Sequence, residues 1–312
     1  MNAKKYHLIF IIAFAILCSS CSGPKTTLKD TEVFRLGMSE ITTGSLLYRK
    51  GCYTQSLNHF FKALELFAVS DNLEGTSLCL NNIGNVYKAF GDTESALLFY
   101  DESCSTYLAL GDYKGAVHAL SNKAAAVIDN GDLSEADKVL SSAENIAERN
   151  HIEFNPLLTN RGILLTKKKE FLKAEEILRI SLERTDKEDL SSFAAVNFAL
   201  GNLMVKTGRF DEAVILFDRS LSSDREAYFY VGIAEDLSSI GDAFVSLGKN
   251  KEAVFYYKRS IMSYSLTDNW EKADIISKKL ENAADKTGED ISLTRFFIKR
   301  WKERININAF CE

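Results

Sequence analysis

The sequence predicts an all-α protein built from about six similar helix-turn-helix units. Residues that favour helices dominate its 312 positions, and proline occurs only at Pro24 and Pro156. No segment alternates apolar and polar residues as a half-buried strand would. A pattern of small and large residues also recurs along the chain at a nearly constant interval. We therefore expect helices throughout the folded part and no strands.

The recurring pattern begins with a small residue in the first helix of each unit, at intervals of 38 to 40 residues. These positions are Gly44, Gly84, Ala124, Gly162, Gly201 and Gly241. Seven residues later the first helix ends, and five of the six units place glycine where the chain must turn. The turn positions are Gly51, Gly91, Gly131, Lys169, Gly208 and Gly248.

The second helix of each unit carries a small residue followed, four positions on, by a large one. The small residues are Ser56, Ala96, Ala136, Ala174, Ala213 and Ala253, and the large ones are Phe60, Tyr100, Leu140, Leu178, Phe217 and Tyr257. Small residues allow two helices to approach, and the large residue fills the space beside them. The pattern thus predicts that the two helices of each unit pack against each other.

This order of small, aromatic and glycine positions resembles the tetratricopeptide repeat, in a longer form of 38 to 40 residues, over about 37–290. It differs from that family in having leucine where tryptophan is usual, as at Leu80, Leu120 and Leu237, and in lacking the proline that usually ends a repeat. The resemblance implies a right-handed superhelical solenoid whose first helices line a concave surface that binds peptides or partner segments.

The end of the chain is predicted to cap the solenoid. Residues 270–284 read as another first helix, but 291–312 lack the small-residue pattern. On a helical wheel Phe297, Ile298 and Trp301 form one apolar stripe beside several basic residues. We interpret 291–312 as a capping helix and tail that cover the last apolar face; a membrane-surface helix is the alternative.

The first 20 residues are predicted to be a signal peptide. Lys4 and Lys5 precede an apolar run at 8–18, which is too short for a membrane span of roughly 20 residues. The following LCSSCSG resembles the lipobox of bacterial lipoproteins, which implies cleavage before Cys21 and lipidation of that residue. The residue after Cys21 is Ser22 and not Asp. By the sorting rule of bacterial lipoproteins, this implies a protein anchored in the outer membrane on its periplasmic side. The alternative is ordinary secretion, with cleavage near Ser20 and no lipid. We interpret residues 21–36 as the lipidated N-terminus and a flexible tether.

Composition and motifs argue against several classes of function. Removal of Lys4 and Lys5 would shift the net charge from −5 to −7, which disfavours nucleic acid as a partner. The sequence has no HExxH, GxGxxG, phosphate-binding or GxSxG motif, and its histidines have no partners at metal-ligand spacing. We therefore predict no enzyme activity, no metal and no cofactor.

Besides Cys21, four cysteines remain after the signal peptide, Cys52, Cys79, Cys104 and Cys311, in a compartment that permits disulfides. Cys79 and Cys104 lie near adjoining ends of the two helices of the second unit, which makes a bridge between them conceivable. Buried free thiols are common and disulfides require a narrow Cα separation, so free cysteines are the favoured interpretation.

Amide side chains mark the candidate binding groove. They recur on the predicted concave face at Asn82, Asn85, Asn122, Asn160 and Asn202, with Asp242 in a corresponding position. A carboxamide both donates to and accepts from a peptide backbone, which suits recognition of an extended chain. Hydrogen bonding between neighbouring repeats is the structural alternative.

The sequence thus favours a membrane-anchored interaction scaffold, which assists an envelope assembly such as a pilus or secretion system. A sensor or carrier of a small peptide or glycan fragment is the alternative function.

The lipid anchor can be tested directly. Cys21→Ser is expected to abolish incorporation of radiolabelled palmitate and to release the protein into the soluble periplasmic fraction, because several acyl chains would otherwise hold it on the membrane. Cys18→Ser is the matched control and should still be labelled. Continued labelling of the Cys21→Ser protein would contradict the assignment.

Overall fold

The computed structural model describes residues 32–303 and residue 311, and all regular structure in this part of the chain is helical, as predicted. The predicted signal peptide and Cys21 lie outside the described residues. In chain order the helices are α1 Glu32–Arg49, α2 Tyr53–Val69, α3 Leu73–Ala89, α4 Thr93–Ala109, α5 Tyr113–Asn130, α6 Leu133–Arg149, α7 Asn155–Lys167, α8 Phe171–Arg184, α9 Leu190–Lys206, α10 Phe210–Glu226, α11 Tyr230–Ser246, α12 Asn250–Leu266, α13 Trp270–Thr287 and α14 Ser292–Lys302.

From α1 to α13 each helix packs chiefly on its neighbours in the chain, so the fold is a linear stack of helix pairs. Six pairs correspond to the predicted units; α13 packs on α12, and the short α14 also packs on α12. The first helix begins at Glu32, five residues before the predicted start of the solenoid at 37, so the predicted tether 21–36 extends too far. None of the helices in the described part of the chain is long and apolar enough to cross a membrane.

The predicted contact between a small and a large residue holds each pair together. An added methyl carbon on Gly84 would lie less than 3.0 Å from the ring of Tyr100, and Gly201 and Phe217 show the same relation. The other glycine-containing pairs are Gly44 with Phe60, Gly162 with Leu178 and Gly241 with Tyr257. The large side chains are at most 2% exposed. These contacts confirm the predicted register of the repeat.

The turns between paired helices use the left-handed backbone region. Gly91 and Gly208 have φ of 80° and 77°, where glycine has no steric penalty. Lys169 replaces glycine in the fourth unit and still adopts φ 64°. Aspartates such as Asp92 and Asp132 then accept a hydrogen bond from the backbone amide three residues on, which caps the next helix.

The C-terminal helix α14 covers the end of the stack. Ile298 packs against the core cluster formed by α11 to α13, and Lys302 pairs with Asp274 of α13 at 2.6 Å. Leu293 and Phe296 face solvent at 66% and 59% exposure. The helix therefore caps the last repeat with one side only, and the predicted stripe of Phe297, Ile298 and Trp301 lies half-buried.

The superhelix brings its first repeat against its sixth. Arg49 donates a hydrogen bond to the carbonyl of Ala227 at 3.5 Å, and the ring of Tyr48 stacks on Phe229 with 6.5 Å between centroids. Gly51 lies beside the side chains of Val231 and Thr267, which would contact a methyl group at that position. Nothing in the repeat pattern predicts this closure, since the residues involved are far apart in the chain.

A disulfide between Cys52 and Cys311 reinforces the closure by joining the start of α2 to the C-terminal tail. This bridge was not predicted. Cys79 and Cys104 are both buried and free, in agreement with the favoured interpretation. The contribution of such a bridge comes mainly from restricting the unfolded chain, and a separation of 259 residues makes the restricted loop long.

We expect Cys52→Ser and Cys311→Ser to lower the free energy of unfolding by the same amount, roughly 2–5 kcal/mol, and the double variant to lose no more than either single one. Urea unfolding without reductant measures this. The same variants should match the unmodified protein in excess dithiothreitol. A stability loss for Cys311→Ser that persists under reduction would assign the effect to packing instead of the disulfide.

Candidate functional site

The closed stack surrounds an inner cleft, which first helices line as predicted. It consists of two connected cavities of about 640 and 730 Å³. The first cavity lies among α1, α3, α9, α10 and α11, and the second is lined mainly by α5, α7, α9 and α11. Lys88, Phe198 and Glu235 line both, so the two cavities meet at these side chains. The closure of the superhelix therefore makes a partly enclosed cleft out of the concave face.

Five of the six predicted groove residues line the cleft. Asn82, Asn85 and Asn122 line the first cavity, and Asn160 and Asn202 line the second. Asp242 lines neither. Its carboxylate accepts a hydrogen bond from Tyr257 at 2.6 Å and pairs with Lys279 of α13 at 2.7 Å. Asp242 thus lies outside both cavities, and side chains of α12 and α13 already bond to its carboxylate.

Two of the five asparagines bond to the preceding repeat. Asn122 donates to the side-chain oxygen of Asn81 in the preceding repeat at 3.0 Å, and Asn160 donates to the backbone and hydroxyl oxygens of Ser121 at 2.9 Å. These bonds of Asn122 and Asn160 are hydrogen bonds between neighbouring repeats, the role that was the alternative to ligand binding.

Within the second repeat, Asn85 accepts a hydrogen bond from Tyr100 at 2.8 Å. Asn82 and Asn202 make no hydrogen bond to any described group. They are the two amides that remain available to a ligand, one in each cavity.

The sequence analysis missed a pair of acidic residues in the first cavity, Asp224 of α10 and Asp236 of α11. Both stand where most other repeats place core residues. Asp224 aligns with Phe67, Tyr107 and Tyr264. Asp236 aligns with exposed Ser39 in the first repeat and with buried apolar residues in the next four, which are Cys79, Ala119, Leu157 and Val196. The same alignment that fixed the fold carried this signal, because an acid in an apolar column departs from the packing rule.

Both acids are almost completely buried. Asp224 is 5% exposed and Asp236 is 1% exposed. Neither oxygen of Asp236 reaches hydrogen-bond geometry with any described group, although Ser220 and Asp224 lie beside it. No lysine, arginine or histidine among the described residues pairs with either carboxylate. Gly232 makes room for the pair, because a methyl group there would overlap the carboxylate of Asp224.

Burial raises the pKa of both carboxyl groups, since it disfavours the charged form. The negative charge of Glu235 adds to the rise for Asp224, and Asp224 itself adds to the rise for Asp236. The pair therefore keeps protons to a higher pH than exposed aspartates do.

Two lysines of the cleft form ion pairs. Lys88 contacts Asp129 at 3.0 Å. Burial acts to lower the pKa of Lys88, but Asp129, Tyr48 and Glu235 together outweigh burial and raise it. Lys272 pairs with Glu235. Across the described residues, no group of three or more histidine, cysteine or acidic side chains is arranged to hold a metal ion. The cleft thus combines two free amides with an acidic pair that has no cation.

The acidic pair predicts a pH-dependent stability. A carboxyl group with a raised pKa in the folded state binds protons more tightly than in the unfolded state, so the free energy of unfolding falls as pH rises above about 4. Asp236→Asn removes this penalty. We expect the variant to be more stable than the unmodified protein by at least about 1 kcal/mol at pH 8, with the difference shrinking towards pH 4.

Urea unfolding at a series of pH values measures the effect, with Asp211→Asn as the control. Asp211 lies on the same helix as Asp224, and its side chain is 79% exposed. The control should show no difference that grows with pH. A loss of stability in Asp236→Asn at pH 8 would show that the carboxylate supports the fold.

Comparisons with known proteins agree with the repeat architecture. Two family models, both described as tetratricopeptide repeat, match residues 42–109 and 237–264, which fall on helices α1 to α4 and α11 to α12. A comparison with curated proteins gives no significant match.

Solved structures with similar folds include three Rap proteins. The Rap conjugation gene regulator of the plasmid pLS20, in complex with the Phr* peptide, has a TM-score of 0.65 at 13% identity, over 98% of this chain and 88% of that chain. A Rap protein complexed with Competence and Sporulation Factor has a TM-score of 0.56 at 15% identity, over 84% and 78%. The apo form of RapI has a TM-score of 0.50 at 15% identity, over 81% and 99%.

At such identities the similarity concerns the fold. The family matches, the in-register glycine contacts and the stacked helix pairs lead to the same assignment. This chain folds as a tetratricopeptide-repeat solenoid.

Proposed function

We propose that this protein is an interaction scaffold that binds an extended peptide or a segment of a partner protein in its inner cleft. The observation that carries the proposal is the enclosed cleft itself, in which Asn82 and Asn202 present unpaired amides in two connected cavities. An amide that both donates and accepts can bond to a peptide backbone whatever its side chains are. The separation of the two amides into neighbouring cavities suits a ligand that runs along the cleft.

The similar structures support the same choice of ligand. Two of the Rap proteins are described in complexes, one with the Phr* peptide and one with Competence and Sporulation Factor. A shared fold does not carry a function by itself, so the transfer to this chain rests on the cleft and its amides. The fold is that of interaction scaffolds, and catalysis has no part in the proposal.

We further propose that Cys21 carries lipid and holds the solenoid at the outer membrane, with the cleft in the periplasm. The sequence before α1 supports lipidation, because it has a short apolar run and small residues directly before Cys21. In this position the protein would capture segments of exported proteins and assist an envelope assembly such as a pilus or secretion system.

A second candidate function is a sensor or carrier of a small ligand, such as a short peptide or glycan fragment. The volumes of about 640 and 730 Å³ favour it, because they fall within the range of about 300–1,000 Å³ that is typical of small-molecule sites. A pull-down from detergent-solubilised envelope separates the candidates. One stoichiometric protein partner supports the scaffold, and none supports the small ligand.

Filling the cleft tests the proposed function. Ala195 lines the first cavity and its side chain is exposed there, so Ala195→Trp is expected to occupy the cavity without disturbing the core. We expect binding of a random heptapeptide pool, measured by affinity selection and mass spectrometry, to fall at least about tenfold because the ring excludes the ligand. Unfolding temperature should be unchanged.

Ser222→Trp is the matched control, because it adds the same ring at an exposed position of α10 that lies outside both cavities. It should bind the peptide pool like the unmodified protein. Equal binding by all three proteins would place the peptide site elsewhere.

A further inference from the structure

We propose that the cleft recognises a primary ammonium group of its ligand, either a lysine side chain or a peptide N-terminus, between the carboxylates of Asp224 and Asp236. This inference rests on the proposed function, since it names the chemistry of the ligand that the cleft would bind. The acidic pair has no role in the repeat pattern. In each of the first four repeats, at least one of the two corresponding positions holds a buried apolar side chain.

Burial without a partner is the first observation. Asp236 lines the first cavity at 1% exposure, and neither of its oxygens has a hydrogen-bond partner among the described residues. A buried charged group normally forms an ion pair or coordinates a ligand, because desolvation is otherwise uncompensated. Asp224, at 5% exposure, adds a second carboxylate to the same wall. The carboxylate oxygens of Asp236 that lack hydrogen-bond partners therefore lie at the wall of the cleft.

The number of acceptors fits an ammonium group. The two carboxylates and the hydroxyl of Ser220 all line the first cavity, and Ser220 lies beside Asp236. An ammonium group has three N–H donors and no acceptor, so three oxygens can bond to it. Gly232 keeps the floor open at this point, because any side chain there would collide with Asp224.

The charges around the pair leave it without a resident cation. Glu235 on α11 adds a negative charge, and its own partner is Lys272 of α13. Arg49 of α1, which also lines the cavity, donates to the carbonyl of Ala227. Lys88 of α3 pairs with Asp129. None of these three cations pairs with Asp224 or Asp236 among the described residues, so a ligand can supply the positive charge that the pair lacks.

Binding of an ammonium group is coupled to the loss of protons from the pair. Burial and mutual repulsion raise the pKa of both carboxyl groups, so the empty site holds protons that the bound cation replaces. The affinity for a lysine-containing ligand should therefore increase from pH 5 to pH 8. A lysine ammonium stays charged over that range, which leaves the aspartates as the source of the change.

Three heptapeptide pools test the proposal with the full-length protein in detergent. The first has an acetylated N-terminus and a fixed central lysine, the second has a free N-terminus and no lysine, and the third has an acetylated N-terminus and acetyl-lysine. We expect the protein to retain at least one ammonium pool about tenfold better than the neutral pool. Which pool is retained distinguishes a side chain from a terminus.

The variants Asp224→Asn and Asp236→Asn should reduce that retention to the level of the neutral pool while circular dichroism shows a folded protein. Asp211→Asn is the control for charge and should retain the ammonium pool normally. Should either variant fail to fold, the pH dependence of the unmodified protein still decides. Retention of the preferred ammonium pool that does not rise between pH 5 and pH 7, where both kinds of ammonium group stay mainly charged, overturns the proposal.

The remaining outcomes separate the two proposals. Equal retention of all three pools, lost in Ala195→Trp, overturns the ammonium site and leaves peptide binding in place. No retention of any pool by the unmodified protein overturns both. Retention of the ammonium pool that survives the aspartate substitutions also overturns the site.

Discussion

The fold depends on one repeated contact, in which a residue without a large side chain on the first helix meets a large residue on the second. Gly84 against Tyr100 and Gly201 against Phe217 are two examples, and each glycine leaves space that a ring occupies completely. The contact buries the ring and sets the distance between helices, so it supplies both apolar burial and geometry. Because each repeat touches mainly its neighbours, this one contact, repeated, builds the whole stack.

The cleft arises from what the stack does over its full length. Small rotations between successive repeats accumulate until α1 reaches the start of α11, where Tyr48 stacks on Phe229. Cys52 and Cys311 then join the two ends covalently. The result places side chains of the first three repeats opposite those of the fifth and sixth. An open concave face becomes an enclosed cavity, in which a ligand can be surrounded on several sides.

The acidic pair shows how a binding site is introduced into such a stack. Asp224 takes the position of an aromatic core residue, and Asp236 takes that of an aliphatic or small one. Their burial works against stability at neutral pH, because both carboxyl groups resist ionisation. A protein selected for stability alone would fill these positions with apolar side chains. Their presence at the wall of the cleft is therefore better explained by binding than by folding.

The sequence by itself determined the class of fold, the number of repeats and the partners in each helix pair. It could do so because Gly84 and Tyr100, like every such pair, lie within a few turns of each other in the chain, so a local pattern encodes the contact. It also placed five amides on the inner face. It did not separate Asn82, which is unpaired, from Asn122, which bonds to the preceding repeat, since that choice depends on the distance between repeats.

Only the tertiary structure decided the closure, the Cys52–Cys311 bridge and the meeting of Asp224 with Asp236 inside a cavity. It also excluded Asp242, which Lys279 covers from the next repeat. These features follow from the accumulated rotation along the stack, to which every interface contributes a little. No single segment of sequence specifies that sum, so residues distant in the chain meet only when the whole superhelix is formed.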